Sequence, residues 1–304
     1  MKISVVIPCY NRQETIGLAV HSAMTQSYAP AEVIVIDDGS NPPLSRHFLL
    51  DDSRLKIIRL EQNNGAANAR QVGVEAASGD VIALLDSDDF WFPTKLEKQV
   101  LRLQSLSWNT SPIAVSCGWR TKPESGAAPK EYIPRGSRGA LDFAAGCWFA
   151  PGSTLMIPRW VLEVVGPFNP KLRRLEDYEW FLRFAIAGGC LVVEPEVGAT
   201  VSIGRRGQLE PVNQAKRLIE ESLSMVEHPL LDQRFRHVAT AYLHLEVAKA
   251  AQNQRQYVLM LRHLLQSFIM KPRLRVPLEQ WWTIKRPLLY HNSCRDAAHL
   301  SQDF

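Results

Sequence analysis

Three carboxylates crowd into four residues at Asp86-Ser87-Asp88-Asp89, directly after the apolar run Val81 to Leu85. Like charges this close repel and raise one another's pKa unless a cation or a ring of donors holds them ionised. A divalent metal meets that need. Mg²⁺ is usually bound through one or two carboxylates, its other positions going to water and substrate phosphate oxygens. The same residues have a plainer use: Asp88 or Asp89 could cap the helix announced by Pro93 and the run Lys95 to Val100, the others standing solvated in a loop. Asp37-Asp38 and Glu176-Asp177 are two further acidic clusters that any functional account has to absorb.

The elements around these clusters decide where they can act. Val81 to Leu85 reads as a strand buried on both faces, so its carboxylates fall where the strand leaves the sheet. Ligands of open α/β sheets sit at that edge. Ile3 to Pro8 reads as a first strand, ended by its proline. Ala31 to Ile36 is a second, stopping at the turn Asp37-Asp38-Gly39-Ser40, and Leu55 to Leu60 is a third. Helical patterns over Gln13–Thr25, Leu44–Leu50, Gly65–Val74 and Lys95–Gln104 alternate with these strands. That order specifies βαβ units and a mostly parallel, Rossmann-like sheet with helices on both faces.

Further on, Ile113 to Trp119 reads as a strand and the Pro/Gly/Lys-rich Thr121 to Gly139 as a mobile loop, long enough to suggest function or disorder. Ser153–Ile157 is expected as a strand, Trp160–Val165 as a short helix, Leu175–Phe184 as a helix with two acids in its first turn, and Leu191–Val193 and Thr200–Ile203 as separate strands. Beyond Gly204 the pattern becomes helical, over Val212–Val226, Phe235–Ala251 and Gln256–Met270. A boundary near Arg206 would divide the chain into an α/β domain, residues 1–205, and a helical C-terminal region, residues 206–304.

With 304 residues, 46% hydrophobic and 22% charged, the chain can bury a sizeable core and is neither disordered nor fibrous. Its five cysteines are odd in number and include no C-x-x-C pair, so neither a disulfide framework nor a zinc knuckle is expected, and a reducing compartment fits. The first apolar run is too short for a signal peptide, and none approaches the ~18 apolar residues of a membrane span. A cytoplasmic location, or a peripheral one at the inner face of the membrane, follows as the expectation. From Arg205 onward there are 15 Lys+Arg against 9 Asp+Glu. The cluster Lys271, Arg273, Arg275, Trp281, Trp282, Lys285 and Arg286 suits contact with an anionic membrane surface carrying a lipid-linked acceptor. The basic charge is otherwise dispersed over helices, so no nucleic-acid partner is expected.

Five ordered motifs carry a resemblance: Val5-Val6-Ile7-Pro8-Cys9-Tyr10-Asn11, Val35-Ile36-Asp37-Asp38-Gly39-Ser40, Asn64-Gly65 through Arg70, Leu85-Asp86-Ser87-Asp88-Asp89, and Glu176-Asp177. Over residues 1–205 the chain resembles the family 2 glycosyltransferases, inverting enzymes of GT-A fold that use nucleotide sugars. The resemblance implies a metal-dependent transfer of one sugar, from a donor such as a UDP-sugar to a hydroxyl on a glycan or lipid-linked acceptor, in cell-surface glycan or polysaccharide assembly. It implies that Pro8, Tyr10 and Asp38 meet uracil and ribose, and that Asn68 and Arg70 lie near base and phosphates. Asp86 and Asp88 match the family's D-x-D element, Asp86 turned towards the ribose and Asp88 holding Mn²⁺ or Mg²⁺. Asp177 matches the catalytic base. Plainer roles exist for each: a turn aspartate for Asp38, a solvated arginine for Arg70, a helix-dipole charge for Asp177.

Two departures separate the chain from the family's processive membrane polymerases: it has no membrane span, and Gln280-Trp281-Trp282 lacks the spacing of a Q-x-x-R-W element. A single-addition transferase is therefore expected. Gly204 to Gln208 falls where relatives carry a basic or histidine-bearing loop, although a solvated turn reads better there. The alternatives are a nucleotidyltransferase that makes nucleotide sugars, or a non-catalytic nucleotide-sugar-binding protein. The first should carry a glycine-rich loop after its first strand, yet the first glycine is Gly17, inside a helix. Three intact acidic clusters argue against the second.

Overall fold

The computed structural model describes residues 1–45, 52–122, 128–202 and 208–271. Most of the expected helix Leu44–Leu50, the loop Gly204–Gly207 and the basic cluster beyond Lys271 lie outside the described residues. The elements run β1 (Ile3–Cys9), α1 (Ile16–Met24), β2 (Glu32–Asp37), β3 (Leu55–Arg59), α2 (Ala66–Ala76), β4 (Val81–Leu84), β5 (Phe90–Trp91), α3 (Lys95–Gln104), β6 (Ile113–Lys122), β7 (Glu131–Tyr132), α4 (Ala140–Ala144), β8 (Met156–Pro158), α5 (Arg159–Val165), α6 (Glu176–Ile186), β9 (Cys190–Ser202), α7 (Leu209–Met225), α8 (Gln233–Asn253) and α9 (Tyr257–Met270).

Alternate residues of the central strands feed two cores. Val5, Ile7, Val33, Val35 and Ala83 pack under α1 and α3, while Val6, Ile34, Ile36, Ile82 and Leu84 face α2 and the later helices. Burial on both faces explains the near-continuous β-branched runs. The strand order is β3-β2-β1-β4-β8-β6-β9-β5, with β7 against β6. β3, β2, β1 and β4 are mutually parallel, as expected; β8 then joins antiparallel to both β4 and β6, and β6 and β9 pair parallel. The parallel character thus belongs to the N-terminal half, and the sheet as a whole is mixed.

Several local expectations change. β1 does not stop at Pro8 but continues to Cys9, paired with Asp37. Val6 O accepts from Leu85 N on the β4 side and Cys9 O from Asp38 N on the β2 side, so Pro8 faces β4's flank, past the last β4 pair at Leu84. Its missing N–H is not needed there. The two strands expected at Leu191–Val193 and Thr200–Ile203 are one strand, β9, which follows β6 through a register shift at Cys117–Trp119. Ser153 to Leu155 lie in a turn, and the strand begins only at Met156. Within the loop expected at Thr121–Gly139, β7 forms a hairpin on β6 and the rings of Trp119 and Tyr132 stack.

α7, α8 and α9 follow the sheet as a helical region. α8 starts at Asp232, whose carboxylate accepts from Phe235 N at 2.7 Å, a cap that contributes about 1 kcal/mol. Its Tyr242 ring lies 4.5 Å from that of Tyr178 on α6, which ties the region to the α/β core. Among the described residues no helix is long and apolar enough to cross a membrane.

Candidate active site

The carboxyl ends of β1, β2 and β4 open on one edge of the sheet, and the first two acidic clusters stand there. Asp37 is fully committed to structure: its carboxylate accepts from Ser40 N, Leu44 N and Arg59, which fixes the turn after β2. Asp38 is 2% exposed, and its two oxygens accept Asn64 N at 2.9 Å and Gly65 N at 2.8 Å. Its visible work is to hold the turn into α2, not its own turn. Lone pairs remain on both oxygens for a further donor. Tyr10 is exposed at the mouth of this edge and Pro8 half-buried behind it, with Asn68 half-buried on the first turn of α2.

The Asp86–Asp89 turn is clamped from two sides. Ser153 donates its hydroxyl to Asp89 and accepts from Asp86 N at 3.0 Å; Ser202 donates N–H to Asp89 at 2.7 Å and its hydroxyl to Asp88 O at 2.7 Å. The helix-capping reading of Asp88 and Asp89 is overturned: α3 starts at Thr94 with no side-chain cap, and β5 intervenes. Asp89 is buried structure. Burial first, then the charge of Asp86, pushes its pKa up to about 8. Gly152 makes the close approach to Asp86 possible. Its φ of +109° is one that side chains rarely adopt, and a Cβ there would stand 2.7 Å from Asp86 Oδ2.

Asp88 is as exposed as Asp86, each side chain at 31%, but lacks the hydrogen-bonded guanidinium that Arg70 gives Asp86. Burial and then Asp86 raise its pKa, and its nearest cation is Arg12 Nη2 at 3.6 Å. A raised pKa beside a second carboxylate is what a bound cation would relieve. Among the described residues no three His, Cys, Asp or Glu gather into a cage. Asp88 and Asp86 offer the one or two carboxylates through which Mg²⁺ is usually bound, its other positions going to phosphate oxygens and water.

Arg70 reaches across the site. Its side chain is 9% exposed, Nη2 donates to Asp86 at 2.9 Å and Nη1 to Glu176 at 2.8 Å. Burial works against its charge, but Asp86 and Glu176 hold it protonated. It is no solvated arginine. α6 begins at Leu175, whose φ of +61° is a strained start for a non-glycine residue. Trp180, Phe181 and Phe184 pin the helix among Phe143, Phe149 and Phe168. Of the three acids in its first turn, Glu176 is taken by Arg70 and Glu179 by a two-pronged bond from Arg183. Asp177 has no such cation; its Oδ1 accepts only from Tyr178 N, at 2.7 Å, among the described contacts. Burial first, then the charge of Glu176, outweighs Arg70 and pushes Asp177 up to about 7. A carboxylate poised there suits a general base.

The structure thus joins Asp86, Arg70 and the start of α6 directly, with Asp88 one turn away and Asp38 supporting the loop into α2. Sequence reasoning missed three contributors. Arg12 faces Asp88, its signal being its place in the loop after β1. Ser153 and Ser202 steady the acidic turn, and nothing in their local sequence marks them.

A model of the family described as glycosyl transferase family 2 matches residues 4–163. The Escherichia coli protein UDP-Glc:alpha-D-GlcNAc-diphosphoundecaprenol beta-1,3-glucosyltransferase WfgD is 41% identical over 99 residues, covering 32% of this chain and 39% of that one. The chain thus spans about two fifths of that relative's length. The S. aureus TarS 1-349 structure in complex with UDP superposes with a TM-score of 0.60 at 18% identity, over 90% of this chain and 81% of that one. The mannosyltransferase PcManGT from Pyrobaculum calidifontis, in complex with GDP-Man and Mn²⁺, gives 0.58 at 18% identity, over 90% and 88%. At these identities the likeness is one of fold.

Proposed function

The chain belongs to glycosyl transferase family 2, and on that footing we propose that it moves one sugar from a UDP-sugar to a hydroxyl acceptor, with inversion at the anomeric carbon. The observation that carries this reading is Asp177, the one acid of the α6 first turn without a cation, held beside Glu176, whose Arg70 partner also grips Asp86. An acceptor hydroxyl is a poor nucleophile. Asp177 takes its proton as the oxygen attacks the anomeric carbon from the face opposite the nucleotide, and one displacement inverts the configuration.

Asp38 steadies the Asn64–Gly65 turn and offers its remaining lone pairs to the ribose, while Pro8, Tyr10 and Asn68 border the base. Arg70 orients Asp86 towards the ribose. Asp88, with Asp86 beside it, would hold Mn²⁺ or Mg²⁺, which when bound supplies Lewis-acid neutralisation of the diphosphate leaving group. The UDP complex of TarS and the Mn²⁺ complex of PcManGT support a nucleoside diphosphate donor with a metal. The WfgD name, with its diphosphoundecaprenol acceptor, supports a lipid-linked acceptor and a role in cell-surface glycan assembly. We further assign residues 1–205 to the transferase domain and 206–304 to a helical region that supports it.

The test is a thermal-shift screen of UDP, GDP and other nucleotides, each with Mn²⁺, Mg²⁺ or chelator. UDP with a metal should raise the melting point, by an amount that corresponds to about 2.7 kcal/mol at 100 times its Kd. If no nucleoside diphosphate shifts melting with either metal, the donor assignment is wrong.

A further inference from the structure

α9 turns an apolar face away from the other described residues. Val258, Leu261, Leu265 and Ile269 recur at three- and four-residue intervals and are 84, 61, 60 and 63% exposed, with Phe268 beside them at 51%. The helix is held by its other side: Ser267 donates to Ala241 O at 2.8 Å, His263 meets His244 at 2.7 Å, and Leu259 and Met260 pack against the core around Leu209 and Val212. Among the described residues the stripe takes no part in the packing that fixes α9. A contiguous exposed patch of this kind marks a partner surface.

Its charge selects the partner. From Gln252 to Lys271 there is no Asp or Glu, while Arg255, Arg262 and Lys271 are basic. At the C-terminal end of α9 an open cleft of about 640 Å³ gathers Arg234, His237 and Lys271 beside apolar Val238 and Met270. Burial, with Arg234 adding to it, lowers the pKa of Lys271 despite Asp142, a strain that an anion in the cleft would relieve.

We infer that α9 seats this protein on an anionic bilayer, with its apolar stripe at the acyl boundary and Arg234, Arg262 and Lys271 on lipid phosphates. A second copy of the chain fits the face less well. Arg262 flanks the stripe, just beyond Ile269 around the helix and near the helix's middle, so a two-fold antiparallel pairing of stripes would bring Arg262 towards its own mate. On a bilayer it extends to the headgroups. The ring contact between Tyr242 of α8 and Tyr178, the neighbour of Asp177, then sets the active site at a fixed height above the lipid. The inference stands on α9 and its cleft, independently of the transfer chemistry.

The experiment is co-sedimentation of the full chain with phosphatidylglycerol/phosphatidylcholine vesicles and with pure phosphatidylcholine, at about 0.1 M and about 1 M salt. A double variant, Leu261→Glu with Leu265→Glu, is run beside wild type, together with melting curves and sedimentation velocity of both proteins. Wild type should bind the anionic vesicles at low salt, bind them several-fold less at high salt, and bind pure phosphatidylcholine weakly. The double variant should lose at least about tenfold in vesicle affinity with unchanged melting, since two buried apolar side chains are replaced by charges. Absence of wild-type binding at low salt overturns the inference, as does undiminished binding by the variant. A wild-type dimer that the variant breaks, without vesicle binding, assigns the face to a second copy. A variant that melts lower while wild type ignores vesicles assigns it to a covering segment of the chain itself.

Discussion

Arg70 and Glu176, 106 residues apart in the chain, meet through a hydrogen bond of 2.8 Å, and the same guanidinium reaches Asp86 at 2.9 Å. One buried cation therefore joins the carboxyl end of β4 to the start of α6, the two walls between which donor and acceptor would react. Arg70→Ala leaves two carboxylates without their counter-charge and should cost about 3–5 kcal/mol, read from denaturant unfolding. Arg70→Lys keeps a charge but not the fork that spans both acids. It should fold better than the alanine variant and still lose turnover. An alanine variant as stable as wild type would show that the bridge does not bind the walls together.

The ionisation of Asp177 makes a second expectation. A base acts only when deprotonated, and burial together with Glu176 pushes this carboxyl up to about 7. Transfer at saturating donor should rise with pH through about 7 and level off above it, whereas an ordinary carboxylate would already be level at pH 6. A rate flat from pH 5.5 to 8.5 would contradict the assignment.

Asp88 separates metal binding from fold. Its pKa is raised on folding, by burial and by Asp86. The folded chain then holds that proton longer than the unfolded chain, so this group's contribution falls as pH rises beyond the usual carboxylate range. Asp88→Ala at neutral pH should therefore leave unliganded melting unchanged or slightly higher, while the metal-dependent part of the UDP-induced shift disappears. A large loss of unliganded stability would make Asp88 a structural residue.

The parallel half of the sheet was legible because strands buried on both faces read as β-branched runs, and the acids at their ends stood out against them. The second half was less legible. β9 carries Glu194, Pro195 and Glu196 at its register shift with β6, so a single long strand read as two short ones. Pro8 read as a stop because sequence cannot show that β4 ends before it on that flank. The three acidic clusters were visible, but not how their members divide. Asp37, Asp89 and Glu179 are each taken up by partners distant in sequence or by a helical turn, and only the packed chain reveals that Asp88 and Asp177 are left over. The apolar stripe of α9 followed the same three-to-four spacing as a core-facing helix, and periodicity does not tell which side of a helix meets the protein.

The central claim is that Asp177 removes the acceptor's proton, and the most direct measurement takes nucleotide affinity by calorimetry and product formation on one sample of Asp177→Asn. Asparagine keeps the size and can still accept from Tyr178 N, but it is no base. General base catalysis contributes ~10²- to 10⁴-fold, so transfer should fall by at least about two orders of magnitude while UDP affinity stays near that of wild type. Near-normal turnover with normal affinity would contradict the account and remove Asp177 from the reaction.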